Sequence, residues 1–131
     1  MNDGELDLRA RIVIVGADLT ERALIAAELQ EEEQCRIEST ESIQDALAFL
    51  ILRASLVVMD WSGLDLPSRD WPRLQAGARG APILVLAGSV DRAQIEQLGI
   101  PPTRVLFRPL TVGQVVARAR ELLLEGEGDD G

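Results

Sequence analysis

Five short apolar runs alternating with five helical segments predict an α/β domain: a doubly wound, five-stranded parallel sheet with helices on both faces. Three observations carry this prediction. The strand runs are rich in β-branched residues and apolar along most of their length, the pattern of strands buried on both sides. Apolar residues recur at helical spacing in the segments between them. A chain of 131 residues with 47% hydrophobic composition suits one domain with a substantial core.

Arg11-Ile12-Val13-Ile14-Val15-Gly16 reads as the first strand, stopped by its glycine. Asp18 or Thr20 caps a helix from Leu19 to Glu33, with Leu24, Ile25 and Leu29 on one face. Cys35-Arg36-Ile37-Glu38-Ser39 alternates as a second strand, and Ser42 or Thr40 begins a helix from Ile43 to Leu50. The third strand, Ser55 to Asp60, ends an otherwise apolar run in a carboxylate. Between Trp61 and Gly80, the residues Gly63, Pro67, Pro72, Gly77 and Gly80 predict a long loop with a short, imperfect helix around 70-78. Ala81 to Ala87 is the fourth strand; Ser89 caps a short helix from Asp91 to Leu98; Arg104 to Phe107 is the fifth strand. In the last helix Val112, Val115, Val116, Ala119, Leu122 and Leu123 recur at i, i+3, i+4 spacing, with Thr111 as N-cap and Arg118 and Arg120 facing water. Residues 1-8 are expected to be frayed, residues 9-124 to form the domain, and residues 125-131 to form an acidic disordered tail.

Composition removes many functions. All 13 basic residues are arginine, and histidine is absent. Histidine-based triads, histidine-ligated zinc, P-loop lysine and Schiff-base chemistry are therefore excluded together. The single cysteine, Cys35, has no partner for an internal disulfide and reads as a packed strand residue. A net charge of -9 argues against nucleic acid or an anionic membrane as partner, since both select for basic patches. Basic proteins are better partners. The longest apolar stretches, such as Leu56-Val57-Val58-Met59, fall far short of a membrane span, so a cytoplasmic location is expected.

Ligands of such sheets bind at the carboxyl ends of the strands, here Gly16-Ala17-Asp18, Asp60-Trp61-Ser62, Ala87-Gly88-Ser89 and Phe107-Arg108-Pro109. Ile12-Val13-Ile14-Val15, Val57-Val58-Met59-Asp60-Trp61, Ala81-Pro82-Ile83-Leu84-Val85-Leu86 and Phe107-Arg108-Pro109-Leu110 occur in an order and register that resembles the receiver domains of bacterial response regulators. The resemblance spans about Arg9 to Leu124 and implies a flavodoxin-like (CheY-like) three-layer α/β/α fold. It implies that Asp60 stands at the phospho-acceptor position and that Arg108-Pro109 replaces the family's Lys-Pro step, usually cis. The acidic pair with which the family holds Mg²⁺ falls on Gly16 and Ala17, the hydroxyl ending strand four falls on Ala87, and the switch aromatic falls on Val105.

These replacements alter the site's charge. Three carboxylates and one ammonium attract a divalent cation, whereas Asp60 with Arg108 sums to zero. No metal or other cofactor is expected, with weak Mg²⁺ binding only if Asp60 still accepts phosphate. Arg108 is expected to reach Asp60 as a planar bidentate donor, making a structural ion pair. Asp18 and Ser89 lie near the lost groups, but helix capping is sufficient reason for each. Trp61 reads as a half-exposed packing residue, and Gly99-Ile100-Pro101-Pro102 as a stiff loop.

The leading expectation is a degenerate pseudo-receiver of a bacterial signalling protein, non-enzymatic and independent of phosphorylation, that binds protein partners. The surface implied by the resemblance is the fourth helix, fifth strand and fifth helix, including Arg92, Gln94, Arg104, Arg118 and Arg120, which also offers a route to a homodimer. One alternative is a working phospho-acceptor in a two-component relay, with Asp60 as nucleophile and Arg108 stabilising charge. The other is a flavodoxin-like domain for a small ligand, against which stands the absence of a glycine-rich phosphate loop after the first strand.

Overall fold

The computed structural model describes residues 10-32 and 34-128, so the expectation for residues 1-8 lies outside the described residues. Five parallel strands, β1 (Ala10–Val15), β2 (Cys35–Thr40), β3 (Leu56–Asp60), β4 (Ile83–Ala87) and β5 (Val105–Phe107), form one sheet in the order β2-β1-β3-β4-β5. The helices are α1 (Leu19–Glu32), α2 (Ile43–Phe49), α3 (Pro67–Ala78), α4 (Arg92–Gln97) and α5 (Val112–Gly128). Strand order reverses between β1 and β3. A crevice is expected at such a switch point, above the carboxyl ends of the two strands.

Alternation along the strands builds two cores. Ile12 and Ile14 of β1, with Leu56 and Val58 of β3, pack beneath Ile25 and Leu29 of α1 and Val115, Ala119 and Leu122 of α5. Val13, Val15, Val57 and Met59 point the other way, toward Ala46, Leu50, Trp71, Leu74 and Ile95. Successive side chains of a strand face opposite sides, so an apolar run fills both layers at once. Leu24 does not join its expected face: it is exposed, whereas Ile25 and Leu29, one helical turn apart, are buried.

Caps follow the sequence closely. Asp18 Oδ1 accepts from the Glu21 amide at 3.0 Å, Ser42 Oγ from the Asp45 amide at 3.2 Å, and Thr111 Oγ1 from the Gln114 amide at 3.1 Å. Ser89 is not the cap of the fourth helix. It lies in a one-turn 3-10 helix (Ser89–Asp91), and Asp91 Oδ2 instead accepts from the Gly88 amide at 3.3 Å.

The segment expected as a long loop is mostly helix. A 3-10 turn (Trp61–Gly63) leads to α3, which opens on Pro67 and carries Pro72 inside. Proline suits the first helical position because its missing N–H has no helical partner there. Trp71, Leu74 and Ala78 are buried on one face, and that burial offsets the internal proline. Arg79 then adopts φ 50 and ψ 49, ending α3, while its Nη2 donates to the carbonyls of Leu50 and Ile51 at the end of α2, at 2.9 and 2.8 Å. At the other terminus α5 continues through Glu125 to Gly128, where a tail is expected from composition, and Glu125 lies 3.7 Å from Arg104. Residues 129-131 are outside the described residues.

Candidate functional site

Asp60 ends β3 at the switch point, and its neighbours come from four separate strand ends. Pairing of Asp60 with Leu86 sets it level with the end of β4, and the Arg108 amide donates to the Ala87 carbonyl at 2.8 Å. Arg108 is thereby brought over the sheet. Its Nη2 donates to Asp60 Oδ2 at 2.8 Å. The second oxygen, Asp60 Oδ1, accepts from the Ser62 amide at 3.1 Å and the Ser62 hydroxyl at 2.9 Å. Both oxygens of the carboxylate are thus engaged, and Asp60 doubles as the cap of the 3-10 turn.

The fork of Arg108 is directed elsewhere than expected. Nη1 and Nη2 each donate at 2.9 Å to the two carboxylate oxygens of Glu21, in the first turn of α1. The bidentate pair is Arg108 with Glu21, and Asp60 receives one bond from the same guanidinium. Asp60 Oδ1 is already occupied by the Ser62 amide and hydroxyl, which leaves Oδ2 for the guanidinium. Together, the hydrogen bonds that Arg108 donates to Glu21 and the charge of Asp60 hold the guanidinium above its ordinary pKa, against the effect of burial. Sequence reasoning missed Glu21. A signal was present, since a glutamate three residues after the cap Asp18 lies in the first turn, beside the strand ends.

Gly16 and Ala17 contribute no side-chain ligand. A Cβ on Gly16 would lie 3.2 Å from the Cβ of Asp60, so β1 approaches β3 here more closely than an acidic side chain permits without a shift. The Gly16 carbonyl accepts from Arg22 Nη1, and Arg22 Nε donates to Ser39 Oγ at 2.9 Å. A second guanidinium therefore stands at the end of β1. Arg108 pairs with both carboxylates, Asp60 and Glu21, while Arg22 is held on the Gly16 carbonyl, and the formal charges of the four groups sum to zero. These donors do not suit Mg²⁺, which prefers carboxylates free to coordinate at about 2.0–2.1 Å. Arg108-Pro109 is cis.

Trp61 is buried at 3% exposure rather than half-exposed. Its ring stands 6.0 Å from that of Trp71 at 48°, and its indole N–H donates to Gln94 Oε1 at 3.1 Å. Gln94 and the Arg92 guanidinium, which lies 4.0 Å from the Phe107 ring centre, thus tie α4 to the site and to β5. Val105 is buried under this face. Arg118 is bound to Glu121 at 3.1 Å and to the Thr103 carbonyl at 2.9 Å, so it braces α5 against the loop before β5 instead of simply facing water. Arg120 is exposed on α5.

No family model matches the sequence, and no curated protein matches it. Solved structures do. A response regulator receiver protein of Sinorhizobium medicae superposes with a TM-score of 0.75 at 16% identity, covering 91% of this chain and 98% of that one. A chemotaxis response regulator of Vibrio cholerae gives 0.69 at 18%, covering 87% and 98%. The chain has the response-regulator receiver fold. A receiver-modulated diguanylate cyclase of Pelobacter carbinolicus is similar as well, with a TM-score of 0.71 at 17% identity over 92% of this chain and 97% of that one. Among the described residues of this receiver-like chain, no helix is long and apolar enough to cross a membrane.

Proposed function

We propose that the chain is a pseudo-receiver: a protein-binding module of a signalling protein whose Asp60 is a structural anion and not a phosphate acceptor. The observation that carries this reading is the pairing of Asp60 with Arg108. Oδ2 accepts from the Arg108 guanidinium and Oδ1 accepts twice from Ser62, which neutralises the carboxylate and weakens it as a nucleophile toward a phosphoryl group. Two further features support it. The positions for a metal-binding acidic pair are Gly16 and Ala17, and Arg22 supplies positive charge at that point. The hydroxyl and aromatic positions of the family's switch are Ala87 and Val105.

Partner binding is assigned to α4, β5 and α5. Arg92, Gln94 and Arg118 each hold a neighbouring element in place there, which gives a preformed surface, and Arg104 and the exposed Arg120 add cations. The same face is the one through which two copies would pair. Sedimentation of the wild type and of Arg120→Glu tests this, with a weakened dimer expected for the variant.

The phosphate question is tested directly. The chain is mixed with Mg²⁺ and beryllofluoride or acetyl phosphate, while intact mass and the fluorescence of Trp61 are followed in a Trp71→Phe background. No mass increase and no saturable change are expected. A saturable response that disappears in Asp60→Asn would overturn the proposal and establish Asp60 as a phospho-acceptor.

A further inference from the structure

Ile51 and Leu52 stand at the amino edge of the sheet, opposite Asp60, in the turn that joins α2 to β3. They are 75% and 59% exposed, neighbouring aliphatic side chains that the fold leaves in water, and the exposed Ala48 extends this apolar surface along α2. Arg79 lies beside them. Its Nη2 is held on the Leu50 and Ile51 carbonyls, while its Nε and Nη1 donate to nothing among the described residues. Two bonds to backbone thus fix a guanidinium that still has donors to offer. Arg53, exposed in the same turn, has no partner among the described residues. The local charge opposes that of the whole chain. Residues 46-82 contain Arg53, Arg69, Arg73 and Arg79, and their acids are Asp60, Asp65 and Asp70 alone. Asp60 and Asp65 lie toward the carboxyl edge and Asp70 is fully buried, so no carboxylate of this segment competes for Arg53 and Arg79.

We infer that this turn docks an acidic amphipathic segment of a protein partner, whose aliphatic side chains cover Ala48, Ile51 and Leu52 and whose carboxylates accept from Arg53 and the open donors of Arg79. Charge selects this occupant. A basic segment would be repelled by both arginines. An anionic bilayer is broad enough to meet the chain's net charge of -9 as well as this turn, whereas a peptide meets the turn alone. Two-fold pairing with a second copy would set Arg53 and Arg79 against their own counterparts. The surface is separate from α4, β5 and α5, and Asp60 takes no part in it, so the inference stands apart from both the phosphate question and the assignment of that other face.

The test uses the full chain and a fluorescein-labelled peptide of three Glu-Leu-Leu-Glu repeats, followed by fluorescence anisotropy. Saturable binding that weakens as salt is raised is expected, with ¹H-¹⁵N shifts centred on residues 48-53 and 79-80. Replacing every Glu of the peptide by Gln should weaken binding about tenfold, and Arg53→Glu should do the same. The double variant Ile51→Ser, Leu52→Ser should lose about tenfold as well. All three side chains are exposed, so the circular dichroism spectra of the variants should match the wild type. Absence of saturable binding at millimolar peptide overturns the inference. So does equal binding of the Glu and Gln peptides, or full affinity in either variant. Flotation with phosphatidylserine vesicles, or a sedimenting dimer, that replaces peptide binding and is lost in the double variant would assign the turn to a membrane or to a second copy and overturn it too.

Discussion

Asp60, Arg108 and Glu21 act as one unit, because a single guanidinium satisfies two carboxylates with three hydrogen bonds. The Arg108 side chain is 36% exposed, so solvent screens the fork, and a double-mutant cycle of Glu21→Gln and Arg108→Gln should give a coupling of about 1 kcal/mol in urea unfolding. Strict additivity would show that the fork adds nothing to stability. Asp70 is the opposite case, a fully buried carboxylate. It accepts from Arg69 Nε at 2.9 Å and from the Leu66 amide at 3.1 Å, and the Arg69 bond leads the effects that hold its pKa below the usual carboxylate value, against desolvation. An unfolded aspartate titrates near about 3.9, so the native form holds its proton less tightly and stability falls as pH drops through that value and then through the lower folded one. Asp70→Asn should cost about 1.5–3 kcal/mol at neutral pH, with the gap from the wild type closing in acid. Urea titrations at a series of pH values check this, and a constant gap would deny the carboxylate an ionic role.

At the scale of elements, α3 is held more by tertiary contacts than by local preference. Pro72 is exposed inside the helix and removes one backbone hydrogen bond, while Trp71 and Leu74 beside it are buried. Pro72→Ala should therefore stabilise the chain by about 1 kcal/mol, allowing for the extra entropy of the unfolded state, and raise the melting temperature. Arg79 joins α2 to α3 at the price of a left-handed backbone. Replacement by glycine would relieve about 1 kcal/mol of backbone strain but remove two charge-assisted hydrogen bonds to Leu50 and Ile51, and a net loss of about 1 kcal/mol is expected in chemical denaturation. An increase in stability for Arg79→Gly would mean that these bonds contribute little.

For the whole molecule the dominant electrostatic fact is a net charge of -9. Self-repulsion of that size outweighs the few screened surface pairs, so raising ionic strength from low salt to about 0.5 M should increase the melting temperature by a few degrees in calorimetry. A decrease would show that ion pairs such as Arg11 with Glu38, at 3.3 Å, outweigh the repulsion. The parallel sheet was determined by the sequence alone, because strands buried on both faces must be apolar at every position, as Leu56-Val57-Val58-Met59 is. Helix caps were equally legible, since Asp18, Ser42 and Thr111 act on amides within three residues of themselves. So was the position of Asp60, which terminates an apolar run. Tertiary structure decided the rest. Glu21 and Arg108 are 87 residues apart, and they meet only because the first helix and the last strand loop converge at the carboxyl edge of the sheet. The choice of Glu21 over Asp60 for the fork, the helix formed across Pro72, and the burial of Trp61 against Trp71 and Gln94 depend on contacts that no local window of sequence contains.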